Sequence, residues 1–356
     1  MLLLFDPDPP FVRWCEVDKG VYLEHRTELS KDWSKTVVNH IVNPAEVEAI
    51  GYMLYHGGGE ITESASVVSK ELVGKMERGV GYAPECNEMT LRLVQDPIVG
   101  LPEVPHVVCC DTAFFANLPA EASTYAVPYE LSMKGIRRYG GYGLYHKWVW
   151  DQVKMETAGS ATKLLSIFLG NHPNVAAIRN GIAVETSLGF TPVEGIPSST
   201  TSGDIDPTII FQLLASGISL NGINRVLSKE SGFTGLVGKP TDFADIMQRW
   251  DDPELATARE VLHYNILKYA GELIATLGGV DAIVFLSEQT VDSARFVTGI
   301  CHELEFLGVK CRTSPFVADN CSRLSEDDSP VRVSWLRCNR WDIIAYIVTK
   351  LTTKET

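Results

Sequence analysis

Four stretches of this 356-residue chain hold side chains that could do chemistry. In "GYMLYHGGGE" (51–60), His56 precedes Gly57, Gly58 and Gly59, whose unshielded N–H groups suit an anion and equally suit a tight chain reversal. Asp111 in "CCDTAFF" follows an apolar run and reads locally as a cap at the end of a strand. His146 in "YGGYGLYH" could exchange protons or simply pack, and the same two readings stand for His56. Asp204 and Asp206 in "SGDIDP" precede "PTIIFQLL" as a helix start. The cysteines (Cys15, Cys86, Cys109, Cys110, Cys301, Cys311, Cys321, Cys338) include no C-x-x-C pair, so they read as reduced thiols of a cytoplasmic protein rather than a zinc site.

The elements that must position these groups follow from apolar patterning. The runs "HVVCC" (106–110), "KLLSIFLG" (163–170), "NVAAIRNG" (174–181) and "DAIVFL" (281–286) are bounded by turn residues and read as buried strands. Helical patterns lie between them at 64–79, 206–217 and 252–279, the last opening on Asp252 and Pro253 and closing on Gly278. A strand "VRVSWL" (331–336) and a closing helix around "WDIIAYIVTKL" complete an α/β class. The length favours two domains. With 31 basic against 45 acidic residues the formal charge is −14, which disfavours nucleic acid or an anionic membrane as partner. The opening "MLLLFDPDPPFVRW" lacks a basic n-region and a long enough apolar core for a signal peptide, and no stretch approaches a transmembrane span.

Three longer blocks carry a resemblance. "CCDTAFFANLPAEASTYAVPYELSMKGIRRYGGYGLYHKWV" (109–149), "IRNGIAVETSLGFTPVEGIPSSTTSGDIDP" (178–207) and "LGGVDAIVFLSEQTVDSARFVTGICHELEFLGVK" (277–310) resemble the acetate kinase family in order and spacing. That resemblance implies a two-domain, actin-like and sugar-kinase-like (ribonuclease H-like) α/β fold with an interdomain cleft. The division near residue 150 follows from length alone; the resemblance adds the C-terminal helix at about 340–356 to the N-terminal α/β domain at 1–150 and gives the second domain, 151–339, nucleotide-side and dimer elements. It also implies a homodimer, ATP and Mg2+ as cofactors, and a small carboxylate or acyl phosphate as substrate.

The family's reaction moves a phosphoryl group between ATP and a short carboxylic acid, which requires alignment and positive charge on the moving oxygens. By resemblance, Asp111 falls at the active-site acid. Met53 stands at the first arginine, with Tyr52 at the histidine before it; Tyr142 stands at the catalytic histidine and Thr201 at the second arginine. The N-terminal phosphate loop becomes "DPDPP", where prolines remove N–H donors and Asp6 and Asp8 repel phosphate. Gly170 and Asn171 are kept from one nucleotide loop, with His172 in place of its last glycine, and Asp242 and Phe243 are kept from an adenosine-contacting triplet whose arginine is Ala244. The loop G-I-G-E-N becomes "SEQTV" (287–291). Tyr55 and Pro192 are carried over as substrate-pocket positions, and Arg340 replaces the metal-binding glutamate, a reversal of charge. These changes predict an acetate kinase-family protein with a degenerate site and weak or no standard activity. The alternative is an active carboxylate kinase in which Arg340, Arg137, Arg138 or Lys147 supplies charge, or an acyl phosphate hydrolase using Asp111, His56 or His146.

Overall fold

In the computed structural model, β-branched and aromatic runs flanked by turn residues form the strands, as their propensity favours. The structure describes residues 1–28, 30, 33–41, 43–96, 98, 101, 103–312 and 321–353, with the side chain of Cys321 excepted. Residues 354–356 of the expected C-terminal helix lie outside the described residues. The strands are β1 Leu2–Asp8, β2 Phe11–Asp18, β3 Val21–Glu28, β4 Ala49–Leu54, β5 Ala65–Val67, β6 His106–Cys110, β7 Lys163–Phe168, β8 Asn174–Arg179, β9 Ile182–Thr186, β10 Ala282–Ser287, β11 Cys321–Arg323 and β12 Arg332–Arg337.

The chain divides into two compact units, one of 1–117, 141–148 and 339–356 and a second of 118–140 and 149–338. Residues 118–140, inside the expected 1–150 domain, belong to the second unit.

The first unit holds a sheet in the order β3-β2-β1-β4-β6-β5. β1, β4 and β6 run parallel, so Asp6, Met53 to Tyr55 and Asp111 emerge at the same carboxyl edge, where α/β sheets place their ligands. The core beneath includes Phe5, Trp14, Trp33 and Tyr52, with Phe5 stacked on Tyr52 at 5.5 Å. The closing helix Arg340–Thr352 packs on β1, β4 and β6. It comes close because position 51 is glycine: a Cβ there would lie 2.8 Å from both Leu4 and Val348.

Two sequence expectations change here. "LLLF" does not run into an open loop: β1 continues through Asp6, Pro7 and Asp8, turns at Pro9 and Pro10, and returns as β2. The stretch 64–79 is not one helix, because Ala65–Val67 pairs with β6 as an edge strand and Ser69 caps a helix that begins at Lys70.

In the second unit the sheet order is β11-β12-β10-β7-β8-β9, with β7, β10 and β12 parallel. Helix Ala256–Leu277 covers it, burying Leu262, Ile266, Ala270, Leu273 and Leu277, and ends on Gly278 in the left-handed region at φ 69°. Asn171 and Gln289 follow β7 and β10 at one carboxyl edge.

Candidate active site

The first unit's edge is organised by a buried carboxylate. Asp6 is fully buried, and its Oδ2 accepts from Nη1 of Arg340 at 2.6 Å and from Nη2 of Arg13. Its Oδ1 accepts from the Tyr55 hydroxyl at 3.1 Å, and that hydroxyl accepts from Nη1 of Arg340 at 3.1 Å. Burial pushes the Tyr55 phenol well above its ordinary pKa, so it stays neutral and can donate. Nε of Arg340 donates to the Tyr145 hydroxyl at 2.9 Å. Arg340 is the first residue of its helix, which Asn339 caps by accepting from Trp341 N–H at 3.0 Å.

Asp111 lies one residue past β6 and is 6% exposed. Its carboxylate accepts from the backbone N–H of Tyr142 at 2.6 Å and of Leu144 at 3.2 Å. Burial pushes its pKa up to about 6, against the lowering effect of those two bonds and of Arg340. The cradle needs two unusual backbone features. Tyr142 is left-handed at φ 58°, and Gly143 leaves room that a Cβ, 2.2 Å from the Asp111 carbonyl oxygen, would fill.

Met53 is buried in β4 and brings no charge; its carbonyl accepts from the Thr90 hydroxyl at 2.7 Å. Tyr52 is buried beside it, hydrogen-bonded to Nδ1 of His106 at 2.8 Å. The glycine run is a packed turn. Gly57 N–H donates to the Thr112 hydroxyl at 2.9 Å and Gly58 N–H to Nδ1 of His56 at 3.0 Å, so these donors are committed within the protein. His56 stacks on Tyr82 at 4.7 Å, and burial pushes its pKa down to about 4. His146 is fully buried with its ring edge-on to Phe115.

In the second unit, Asn171 is a junction: its side-chain oxygen accepts from the Ser199 hydroxyl at 3.2 Å, Phe243 N–H at 3.2 Å and Nε2 of Gln289 at 3.1 Å. The loop carrying Gln289 is thereby tied to the Gly170–Asn171 loop. The Phe243 ring is fully buried in the core, and Asp242 and Asp245 form a reciprocal capping box. Thr201 is 4% exposed and donates its hydroxyl to Ser198 at 2.7 Å. Arg138 is paired with Glu194 at 3.0 Å and Glu185 at 3.5 Å. Pro192 sits exposed in a turn.

Magnesium asks for hard oxygen donors with lone pairs to give. Position 340 offers a guanidinium instead, both oxygens of Asp6 are bonded by Arg13, Arg340 and Tyr55, and those of Asp111 by backbone N–H groups. Among the described residues no three His, Cys, Asp or Glu side chains gather in a metal-binding group. The residues present do not fit the metal.

The sequence motifs point to Asp6 and Arg340 but not to their pairing, and they give no sign of Arg13 and Tyr145. A two-residue turn at Pro9 and Pro10 sets Asp6 opposite Arg13, so the hairpin register is the signal that could have found that contact.

The profile of the Acetokinase family matches residues 20–346. An acetate kinase of Coprothermobacter proteolyticus is 34% identical over 357 residues, covering 95% of this chain and 88% of that protein. One of Halothermothrix orenii is 37% identical over 274 residues, covering 75% and 69%. Among solved structures, Porphyromonas gingivalis acetate kinase matches with a TM-score of 0.88 at 24% identity over 99% of each chain. A propionate kinase of Francisella tularensis matches at 0.87 and 22% identity, over 98% of this chain and 99% of that one. These likenesses establish a shared α/β fold.

Proposed function

Because the chain belongs to the acetokinase family, we propose that it keeps the family's actin-like α/β scaffold while its site for ATP and a short carboxylate is degenerate, with weak or no standard kinase activity. The observation that carries this reading is the Asp6–Arg340 ion pair, 2.6 Å long and braced by Tyr55, Tyr145 and Arg13, at positions that by resemblance correspond to the family's phosphate loop and metal ligand. Met53, Tyr142 and Thr201 return no cation to the positions of the family's arginines and histidine. Each lost transition-state donor costs about 10²–10³ in rate, and such losses within one site do not simply multiply.

On the nucleotide side, the Gln289–Asn171 bond supports the same reading, since it joins two loops that by resemblance flank ATP. The protein in this reading is cytoplasmic, takes a small carboxylate or acyl phosphate if it takes a substrate at all, and has no nucleic acid or membrane partner. The charge of −14 supports this, and among the described residues no helix is long and apolar enough to cross a membrane.

It pairs with a second copy through helices Thr208–Ala215 and Leu220–Lys229, where Ile209, Phe211 and Leu220 are exposed and no residue of the first helix is buried. Apolar faces of this kind mark protein–protein contacts.

The second reading, an active carboxylate kinase, is favoured by one observation: relatives 34–37% identical are called acetate kinases. An assay of acyl phosphate formation from ATP and Mg2+ with acetate, propionate or butyrate separates the two. Turnover below about 1 s⁻¹ is expected for the degenerate site, and ordinary enzyme turnover above that supports the active kinase.

A further inference from the structure

Two thiols of the second unit are brought together by a turn. Cys301 lies in helix Ala294–Glu303 and is 2% exposed, while Cys311 is half-buried against the same apolar cluster. Between them the chain reverses: Leu304 N–H donates to the Cys301 carbonyl at 3.1 Å, a tight turn spans Glu305–Leu307, and Gly308 takes the left-handed region at φ 86°. The returning segment is clamped by its neighbours. Cys311 bridges Ser325, Arg312 N–H donates to the Leu324 carbonyl at 2.8 Å, and Glu326 N–H donates to the Lys310 carbonyl at 2.8 Å. The thiols meet across this fixed turn and share a hydrogen bond, in which Cys301 donates to the Cys311 sulfur.

The contact makes the pair unequal. The bond from Cys301 holds the Cys311 thiol below its ordinary pKa, against burial and the nearby Glu305 and Glu326, whereas donating that bond, together with burial, raises Cys301. Burial pushes Cys15 and Cys110 up to about 12 and raises Cys109 as well. A partly exposed sulfur with thiolate character thus has a second thiol against it, the arrangement in which oxidation proceeds to a disulfide.

We infer that Cys301 and Cys311 form an oxidant-sensitive pair, in which hydrogen peroxide reacts at Cys311 and Cys301 closes a disulfide across the turn. The Cys311 thiolate attacks one peroxide oxygen and the O–O bond breaks, leaving a sulfenic acid on Cys311. The departing hydroxide takes up the proton that the Cys311 thiol released and becomes water. The Cys301 sulfur then attacks the Cys311 sulfur, the S–O bond breaks, and the second hydroxide leaves as water with the Cys301 proton. The two thiols are oxidised by two electrons and the peroxide is reduced by two. This inference is independent of whether the chain works as a kinase.

Peptide mass spectrometry of the reduced full chain, briefly exposed to hydrogen peroxide and then capped with iodoacetamide, tests it. Trypsin cuts after Arg295, Lys310 and Arg312, so the two cysteines fall in separate peptides and their link is read directly. The Cys301–Cys311 disulfide is expected to form about tenfold or more faster than Cys15, Cys109 or Cys110 oxidises, because the thiolate is the attacking species, and dithiothreitol is expected to restore both thiols. In Cys301→Ser the sulfenic acid should persist on Cys311 and be captured by dimedone. Absence of the link in the folded wild-type chain overturns the inference, as does a link from Cys311 to Cys321 or another cysteine in its place. Faster oxidation of the buried Cys15, Cys109 or Cys110 overturns it too. The linkage is read on the wild-type chain, so a variant that fails to fold leaves the test intact.

Discussion

A buried carboxylate shared by two guanidinium groups is expensive to remove, because its loss leaves both cations without compensation, at about 3–5 kcal/mol. Asp6 is in that situation, which makes the ion pair a durable feature of the site and not a contact that a passing ligand displaces. Two other buried groups at the same edge act in opposite directions on pH stability. Asp111, pushed up to about 6 by burial, holds a proton in the folded chain that the unfolded chain releases near 3.8, so its contribution is present at low pH and is lost as pH rises through 4 to 6. His56, pushed down to about 4, stays neutral when the unfolded chain begins to take a proton near 6.5, so its contribution is present above 6.5 and is lost as pH falls toward 4. The windows overlap and offset each other. Urea unfolding of wild type and His56→Gln between pH 7 and 4 should show the stability difference, wild type minus variant, falling by up to about 3 kcal/mol; a pH-independent difference would mean that His56 is not held neutral. At this scale Met53, Tyr142, Thr201 and Arg340 are legible as departures from a resemblance, because each falls inside a matched motif. The Asp6–Arg13 contact is not, since it depends on strand register rather than on local sequence.

Among the elements, the turn before helix Gly143–Glu156 carries the most constraint. Tyr142 at φ 58° and Gly143, whose Cβ would meet the Asp111 carbonyl at 2.2 Å, together aim two N–H groups at one carboxylate. Gly143→Ala should cost more than about 2 kcal/mol in urea denaturation, the scale of overpacking with backbone displacement, and should push the Asp111 pKa further up by loosening the two N–H bonds that lower it. An unchanged midpoint would show that the turn can shift freely. The strands are the readable part: "HVVCC" and "DAIVFL" are short apolar runs between turn residues, and they form β6 and β10 nearly to the residue. The stretch 64–79 departs from its helical pattern because Ala65–Val67 is an edge strand fixed by pairing to β6, a tertiary contact that no local periodicity announces.

For the whole molecule, 95% coverage at 34% identity to an acetate kinase and a fold match of 0.88 set a scaffold, and the scaffold is what the long motifs encode. "SGDIDP" illustrates this: Asp204 holds Gly195 N–H at 2.9 Å and the Tyr269 hydroxyl at 2.5 Å, and Asp206 accepts from Thr208 at the start of its helix. Such residues hold the architecture and do not by themselves specify a reaction. The apolar helix that Asp206 begins predicts a twofold assembly: light scattering should give twice the 39.2 kDa chain mass, and Phe211→Glu should halve it. A monomeric wild type would remove the second-copy reading. The most direct test of the central claim is ATP formation from ADP and acetyl phosphate with Mg2+, read by luminescence on the wild-type chain. The proposed reading, in which Asp6 pairs with Arg340 and no cation stands at Met53 or Tyr142, predicts less than about 1 s⁻¹, whereas turnover of about 10 s⁻¹ or more, typical of enzymes, would contradict it.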